Sequence, residues 1–201
     1  MAADPLWNVP NLLSLSRLPL AVGLFACITR EAWAAGLAIF AVAAATDWAD
    51  GWWARRYGPL TAIGRNLDPL TDKVLLGGAF IYLIPVEGAD MAPWIATVVV
   101  SRELLVTGLR GIVEATGQTF GADWFGKVKM VLQCAVVIGV LLILTLRDRG
   151  HPTTAAALAP VQTALMAAML VATVGSAAQY SVKAARLLKT IPASGGNTPR
   201  S

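Results

Sequence analysis

Charge is scarce in this sequence. Asp, Glu, Lys and Arg supply 14% of its 201 residues, where a soluble globular domain carries about 25%. Hydrophobic residues supply 56%, and the mean hydropathy is +0.62. That balance excludes an ordinary soluble domain and predicts a membrane protein. Cysteine is nearly missing as well. Cys27 and Cys134 both sit inside apolar runs, so neither a disulfide framework nor metal-ligand spacing is present, and each reads as a small buried hydrophobe. The one histidine, His151, stands beside Pro152 in a connecting segment and is given no role. No segment alternates apolar and polar residues in the manner of a strand, which argues against a β-barrel. No internal repeat is evident. No basic region precedes the first apolar run, where Asp4 stands instead, so a secretory signal peptide is not expected.

What the chain does have is apolar length. Six stretches can be read, at about 11–30, 33–57, 66–86, 92–116, 125–146 and 157–182, and at ~20 residues per span they fill the chain. The expected fold is an all-α membrane protein, a six-transmembrane-helix bundle forming a single domain over 1–190. Turn signals fall between the stretches: Gly58-Pro59, Pro85 to Pro93, Gly117 to Gly121, and Gly150-His151-Pro152. The chain closes on "TIPASGGNTPRS", and 191–201 reads as a disordered tail. At the opposite terminus Trp7, Leu12, Leu13 and Leu15 interleave with Asn8, Asn11, Ser14 and Ser16, which suggests a short interfacial helix lying on the membrane ahead of the first span. A frayed amphipathic start is the simpler reading.

Positive charge is unevenly placed. With the N-terminus in the cytoplasm, Arg17, Arg55, Arg56, Arg65, Lys73, Arg110, Lys127, Lys129, Lys183, Arg186, Lys189 and Arg200 gather on one side. Only Arg30, Arg147 and Arg149 fall on the other, and Arg102 lies within a span. This is a strong positive-inside bias, and it gives the net charge of +4 to a face suited to anionic lipid. Nucleic acid is not an expected partner, because the basic residues belong to membrane helix ends.

The acidic residues are fewer and more pointed. The stretch "TDWADGWWARRYGPLTAIGRNLDPLTDK" places Asp47, Asp50, Asp68 and Asp72 around a short turn. Asp47 and Asp50 are i, i+3 and share a helix face. Asp68 and Asp72 are i, i+4 and share another. A hairpin would bring the faces together, where unscreened carboxylates would repel one another. Divalent cations remove that conflict, and an oxygen-only donor set suits Mg²⁺ or Mn²⁺. A single aspartate at a helix end commonly caps or solvates it. Four beside a bilayer point to function, since intramembrane acids are costly. Gly51 clears space for a ligand to approach the backbone, although with Ala54 it also suits close helix packing. Arg55 can pair with a phosphate.

The complete pattern is Asp47-x2-Asp50-Gly51-x2-Ala54-Arg55-x8-Gly64-x3-Asp68-x3-Asp72. At every fixed position it resembles the motif of the CDP-alcohol phosphatidyltransferases. The segments "NVPNLLSLSR", "ATDWADGWWARR", "LDPLTDK", "SRELLVTGLRG" and "GKVKM" extend the resemblance across about 8–140, towards bacterial members that make phosphatidylglycerophosphate. The resemblance implies transfer of the phosphatidyl group of CDP-diacylglycerol to sn-glycerol 3-phosphate, with release of CMP and use of two divalent metal ions. It implies Asp47, Asp50, Asp68 and Asp72 as metal ligands and Asp72 also as general base. It implies Asn11, Gly51, Arg55 and Thr61 as contacts for CDP-diacylglycerol. It further implies a homodimer, multi-pass in the bacterial inner (cytoplasmic) membrane, with its active site facing the cytoplasm. Gly77, Gly78 and Ala79 could allow the dimer's close helix contact, or pack within one bundle.

An anionic acceptor needs cations, and Arg102, Arg110, Lys127 and Lys129 are the candidates for its phosphate. Each has a plainer alternative: Arg102 and Glu103 could be a structural pair within the bundle, and Lys127 and Lys129 could simply snorkel to the interface. Glu114 and Asp123 are read as helix-end residues without function. Another acceptor, such as inositol phosphate, serine or phosphatidylglycerol, would keep the same chemistry. Outside the family, a membrane prenyltransferase or a cation-coupled transporter also gathers carboxylates. The first lacks the Asp-Gly-x2-Ala-Arg core, and the second would carry inverted repeats.

Overall fold

The computed structural model describes residues 9–57, 62–117 and 124–189, with side chains at 15–46, 70–117, 124 and 126–188. Every regular element in the described residues is helical: α1 (Val9–Thr29), α2 (Trp33–Tyr57), α3 (Ala62–Tyr82), α4 (Pro93–Ala115), α5 (Trp124–Asp148) and α6 (Pro152–Lys189). These match the six apolar stretches, with ends displaced by a few residues. α5 and α6 outrun their apolar stretches at both ends, because backbone hydrogen bonding continues through polar turns. Pro93 and Pro152 open α4 and α6, where a fixed φ suits the first turn and no donor is lost.

The amphipathic opening does not stand apart as an interfacial helix. Residues from Val9 onward belong to α1 itself, which runs unbroken to Thr29. Pro19 lies inside α1 without ending it. Residues 1–8, and the tail expected over 191–201, lie outside the described residues.

Contacts between helices fix the direction of each. Arg17 meets Asp72, and Phe25 stacks on Tyr82 with centroids 4.6 Å apart, so α1 and α3 run parallel. Gly23 faces Ile39 and Gly36 faces Cys27, so α2 runs back along α1. Arg102 reaches Ser176 and Arg110 reaches Tyr180, making α4 and α6 parallel. Gly139 lies against Gln162 and Gly126 against Tyr180, making α5 and α6 antiparallel. The N-terminal ends of α1, α3 and α5 therefore share one end of the bundle with the C-terminal ends of α2, α4 and α6.

The main core runs through the middle and far part of the bundle, around Leu24, Phe40, Phe80, Leu83, Val99, Val137, Leu141 and Met169. A smaller cluster of Val106, Val113, Tyr180 and Ala184 joins α4 to α6 nearer the shared end. Gly78 is required for the closest approach, because a Cβ there would overlap the ring of Phe25. Gly77 faces Val100 of α4, and Ala79 is fully buried. All three small residues of α3 thus serve packing inside one chain.

Two helical segments are long and apolar enough to cross a membrane, Gly126–Asp148 and Pro152–Leu188. Shorter apolar stretches cover Leu15–Thr29 and Trp33–Thr46. The expectation of six spans is met in helix number, not in six uninterrupted apolar lengths. In α4 the reason is local: Arg102, Glu103, Arg110 and Glu114 interrupt the apolar run. The outer surface is nonetheless lipid-like. Val22, Val42, Ile81, Leu104, Val131, Val171 and Val174 are exposed, a distribution that a water-soluble monomer avoids. α6 has 38 residues, about 57 Å at 1.5 Å per residue, well beyond a hydrocarbon core of about 30 Å.

Candidate active site

The aspartate-rich end is where the six helices bring their polar residues. The α2 backbone carries Asp47, Asp50, Gly51 and Arg55 on its last turns, and the α3 backbone carries Asp68 one turn before Asp72. Asn11 lies near the start of α1. The side chains of these residues fall outside those described, and Thr61 lies outside the described residues altogether. Asp72 is the member of the expected metal set whose side chain is described.

Asp72 is 23% exposed and accepts a hydrogen bond at Oδ1 from Arg17 Nη1 at 2.7 Å. Arg17 has no exposed surface at all. Asp72 also lines a cavity of about 20 Å³ with Phe40, Ala43 and Ala44 of α2, Leu75 and Leu76 of α3, and Met130 and Cys134 of α5. Asp47 follows Ala43 by four residues, so it occupies the next turn of the helix face that borders this cavity. Among the described residues no three His, Cys, Asp or Glu side chains converge on a metal-sized site. The donor set still fits a hard divalent cation: the donors are carboxylate oxygens, and the described one is partly open rather than sealed in the core.

The four expected phosphate ligands do not form one equivalent set. Arg102 and Lys129 are buried, at 8% and 5% exposure, and both are committed to Glu103. Arg102 Nη1 donates to Glu103 Oε1 at 3.1 Å, and Lys129 Nζ donates to the same oxygen. Arg102 Nη2 also donates to Ser176 Oγ, and its guanidinium lies 5.5 Å from the Tyr180 ring centroid. Arg102, Glu103 and Lys129 thus form one ion-paired group. Arg110 and Lys127 are exposed, and Arg110 Nη2 donates to the Tyr180 hydroxyl at 3.5 Å. Arg102 Nε is buried without a partner among the described residues, so the cluster does not satisfy itself completely.

Three contributors escaped the sequence reading of the site. Lys73, by sequence one of the basic residues at the helix ends, lies close enough to Glu103, Arg110, Asp72 and Arg102 to feel their charges. Tyr180 of α6 contacts both arginines of that helix. The sequence signal for Arg17 is a lone cation between apolar residues of the first helix, the placement that marks intramembrane charge as functional.

This geometry agrees with the comparisons to known proteins. The family model for CDP-alcohol phosphatidyltransferase matches residues 7–175. A protein of Bacillus subtilis (strain 168) named CDP-diacylglycerol–glycerol-3-phosphate 3-phosphatidyltransferase is 36% identical over 154 residues, covering 68% of this chain and 78% of the relative. The Escherichia coli (strain K12) protein of the same name is 35% identical over 141 residues, covering 67% and 77%. One from Rickettsia felis is 32% identical over 146 residues, covering 71% and 77%. The matched region takes in the Asp47–Asp72 motif, the Glu103 cluster and the first part of α6 together. An all-helical membrane chain that keeps this motif at the polar end of its bundle, and matches the family over most of its length, belongs to the CDP-alcohol phosphatidyltransferase family.

Proposed function

We propose that this chain transfers the phosphatidyl group of CDP-diacylglycerol to sn-glycerol 3-phosphate, giving phosphatidylglycerophosphate and CMP. One observation carries the reading furthest. Asp72, a carboxylate able to take a proton, and the cations of α4 and α5, able to hold an anionic acceptor, share one end of the bundle, with the Lys73 charge near both. The names of the relatives support the same substrates.

Asp47, Asp50, Asp68 and Asp72 would hold two divalent cations, Mg²⁺ or Mn²⁺, and Asn11, Gly51, Arg55 and Thr61 would engage the nucleotide end of CDP-diacylglycerol. When bound, the cations neutralise the pyrophosphate and stabilise charge on the departing CMP. Asp72 accepts the proton of the acceptor hydroxyl as its oxygen bonds to the lipid-bearing phosphorus. The bond from that phosphorus to the bridging oxygen breaks, and CMP leaves with the electron pair. Arg110 and Lys127, exposed at the same end, meet the acceptor phosphate first. Arg102 and Lys129, fixed on Glu103, add positive potential behind them. The bilayer holds the acyl chains, so the scissile phosphate is presented at headgroup depth without a soluble binding cleft.

The remaining helices α1 to α4 complete a six-span bundle in this reading, with the polar end facing the cytoplasm as the distribution of Lys and Arg requires. A homodimer in the bacterial inner membrane accords with the resemblance. The test is CMP release from CDP-diacylglycerol by purified protein, with glycerol 3-phosphate, inositol phosphate, serine and phosphatidylglycerol offered separately. Product with glycerol 3-phosphate alone is expected. Selective use of another acceptor would keep the family chemistry and overturn the acceptor assignment.

A further inference from the structure

The contact between α1 and α3 carries a role that the aspartate motif does not contain. Arg17 is fully buried, and its Nη1 donates at 2.7 Å to Oδ1 of an aspartate 55 residues away. The approach is held further along the same interface as well: Phe25, two turns on, seats against Gly78 and stacks on Tyr82, with planes 6° from parallel. The two helices are thereby locked in register, and the guanidinium arrives at the carboxylate with little freedom. Burying a guanidinium in an apolar bundle is expensive, and a well-packed apolar pair often serves stability as well or better. A bond to one carboxylate oxygen, in contrast, does what an apolar pair cannot: it fixes the plane of the aspartate. That plane borders the cavity shared with Ala43 and Ala44, one turn short of Asp47.

We propose that Arg17 is a positioning residue for transfer, holding the Asp72 carboxylate in the one orientation that serves the reacting acceptor hydroxyl. The proposal rests on the reading of Asp72 given above. Arg17 itself touches no substrate. Its loss should therefore lower the rate of the chemical step and leave the affinities for substrates nearly unaltered. Misplacing a reacting group by about 1 Å can cost about 10²-fold in rate.

The test compares Arg17→Lys, Arg17→Met, Asp72→Asn and the double variant Arg17→Met/Asp72→Asn in bilayer discs. Lysine keeps a buried cation but loses the planar, pre-organised fork, so the Arg17→Lys variant decides the matter even where Arg17→Met does not fold. Thermal unfolding, binding of CDP-diacylglycerol with Mg²⁺, and kcat and KM for glycerol 3-phosphate are measured for each. For Arg17→Lys the expected result is a kcat about 10²-fold lower, with nucleotide binding and both KM values within about threefold of the parent. Arg17→Met should approach the rate of Asp72→Asn, and the double variant should be no slower than Asp72→Asn alone, because both changes act through one carboxylate. An Arg17→Lys variant with parental kcat and a lowered unfolding temperature would overturn the proposal and make the pair structural. Additive losses in the double variant would also overturn it. Parental turnover by Asp72→Asn would instead remove the general-base reading itself, a result recognisable without any Arg17 variant.

Discussion

The two ends of this bundle both carry arginine, but among the described residues it is buried only at the aspartate end. At the far end Arg147 is exposed, donates to the Gly88 carbonyl oxygen at 3.3 Å, and borders a cavity of about 310 Å³ lined largely by apolar residues such as Ile95, Val140, Ile143 and Met166. At the aspartate end Arg17 and Arg102 are buried, one on Asp72 and the other on Glu103 and Ser176, and the cavity beside Asp72 is only about 20 Å³. The larger hollow lies away from the charged machinery. Cavity size is therefore a poor guide here. Desolvated charge is the better one, because it is costly to keep in a membrane bundle and is retained where it acts.

The sharpest way to break this comparison is to remove divalent cations. Exhaustive chelation should abolish CMP release, and added Mg²⁺ or Mn²⁺ should restore it. Undiminished turnover after chelation would strip the aspartate end of its proposed chemistry. Next in size is Asp72→Asn, expected to lower kcat by about 10²–10⁴-fold, the usual cost of losing a general base, while CDP-diacylglycerol still binds with metal. Asp47→Asn should lose binding and rate together. Equal loss of nucleotide binding in the two variants would make Asp72 chiefly a metal ligand.

A smaller effect is expected from Arg110→Ala. Loss of one charge-assisted phosphate contact should cost about 1.5–3 kcal/mol, read as a higher KM for glycerol 3-phosphate with CDP-diacylglycerol binding retained. An unchanged KM would move the acceptor phosphate towards Lys127. The smallest effect belongs to the far end and should spare catalysis. Gly88 has φ +77 and leaves no room for a Cβ beside the Arg147 guanidinium. Gly88→Ala should destabilise by about 1 kcal/mol or somewhat more, seen as a lower unfolding temperature with kcat unaltered. A large fall in kcat would show that the two ends are coupled.

Much of this was legible in the sequence. Apolar runs long enough for helices, parted by glycine and proline, reveal α1 to α6 because a helix in lipid satisfies its own backbone and is specified locally. The Asp47/Asp50 and Asp68/Asp72 spacings are legible for the same reason, since i, i+3 and i, i+4 set a shared face before any packing occurs. Positive-inside charge is likewise a property of order along the chain. That the described part of the amphipathic opening, from Val9 onward, continues into the first long helix was not legible, because an amphipathic first turn and an independent helix share one pattern.

Tertiary structure alone decided which charges meet. Arg17 and Asp72 are 55 residues apart, and Glu103 and Lys129 are 26 apart. No periodicity links such positions; they are joined because α1 packs parallel to α3 and α4 is brought near α5. The sequence by itself determined the helices, the family motif and the end of the bundle where charge collects. Packing determined that Arg102 and Lys129 are held by Glu103, while Arg110 and Lys127 stay exposed. The physical reason is that a helix is closed by hydrogen bonds four residues apart, whereas a buried ion pair exists only after whole helices have found their register.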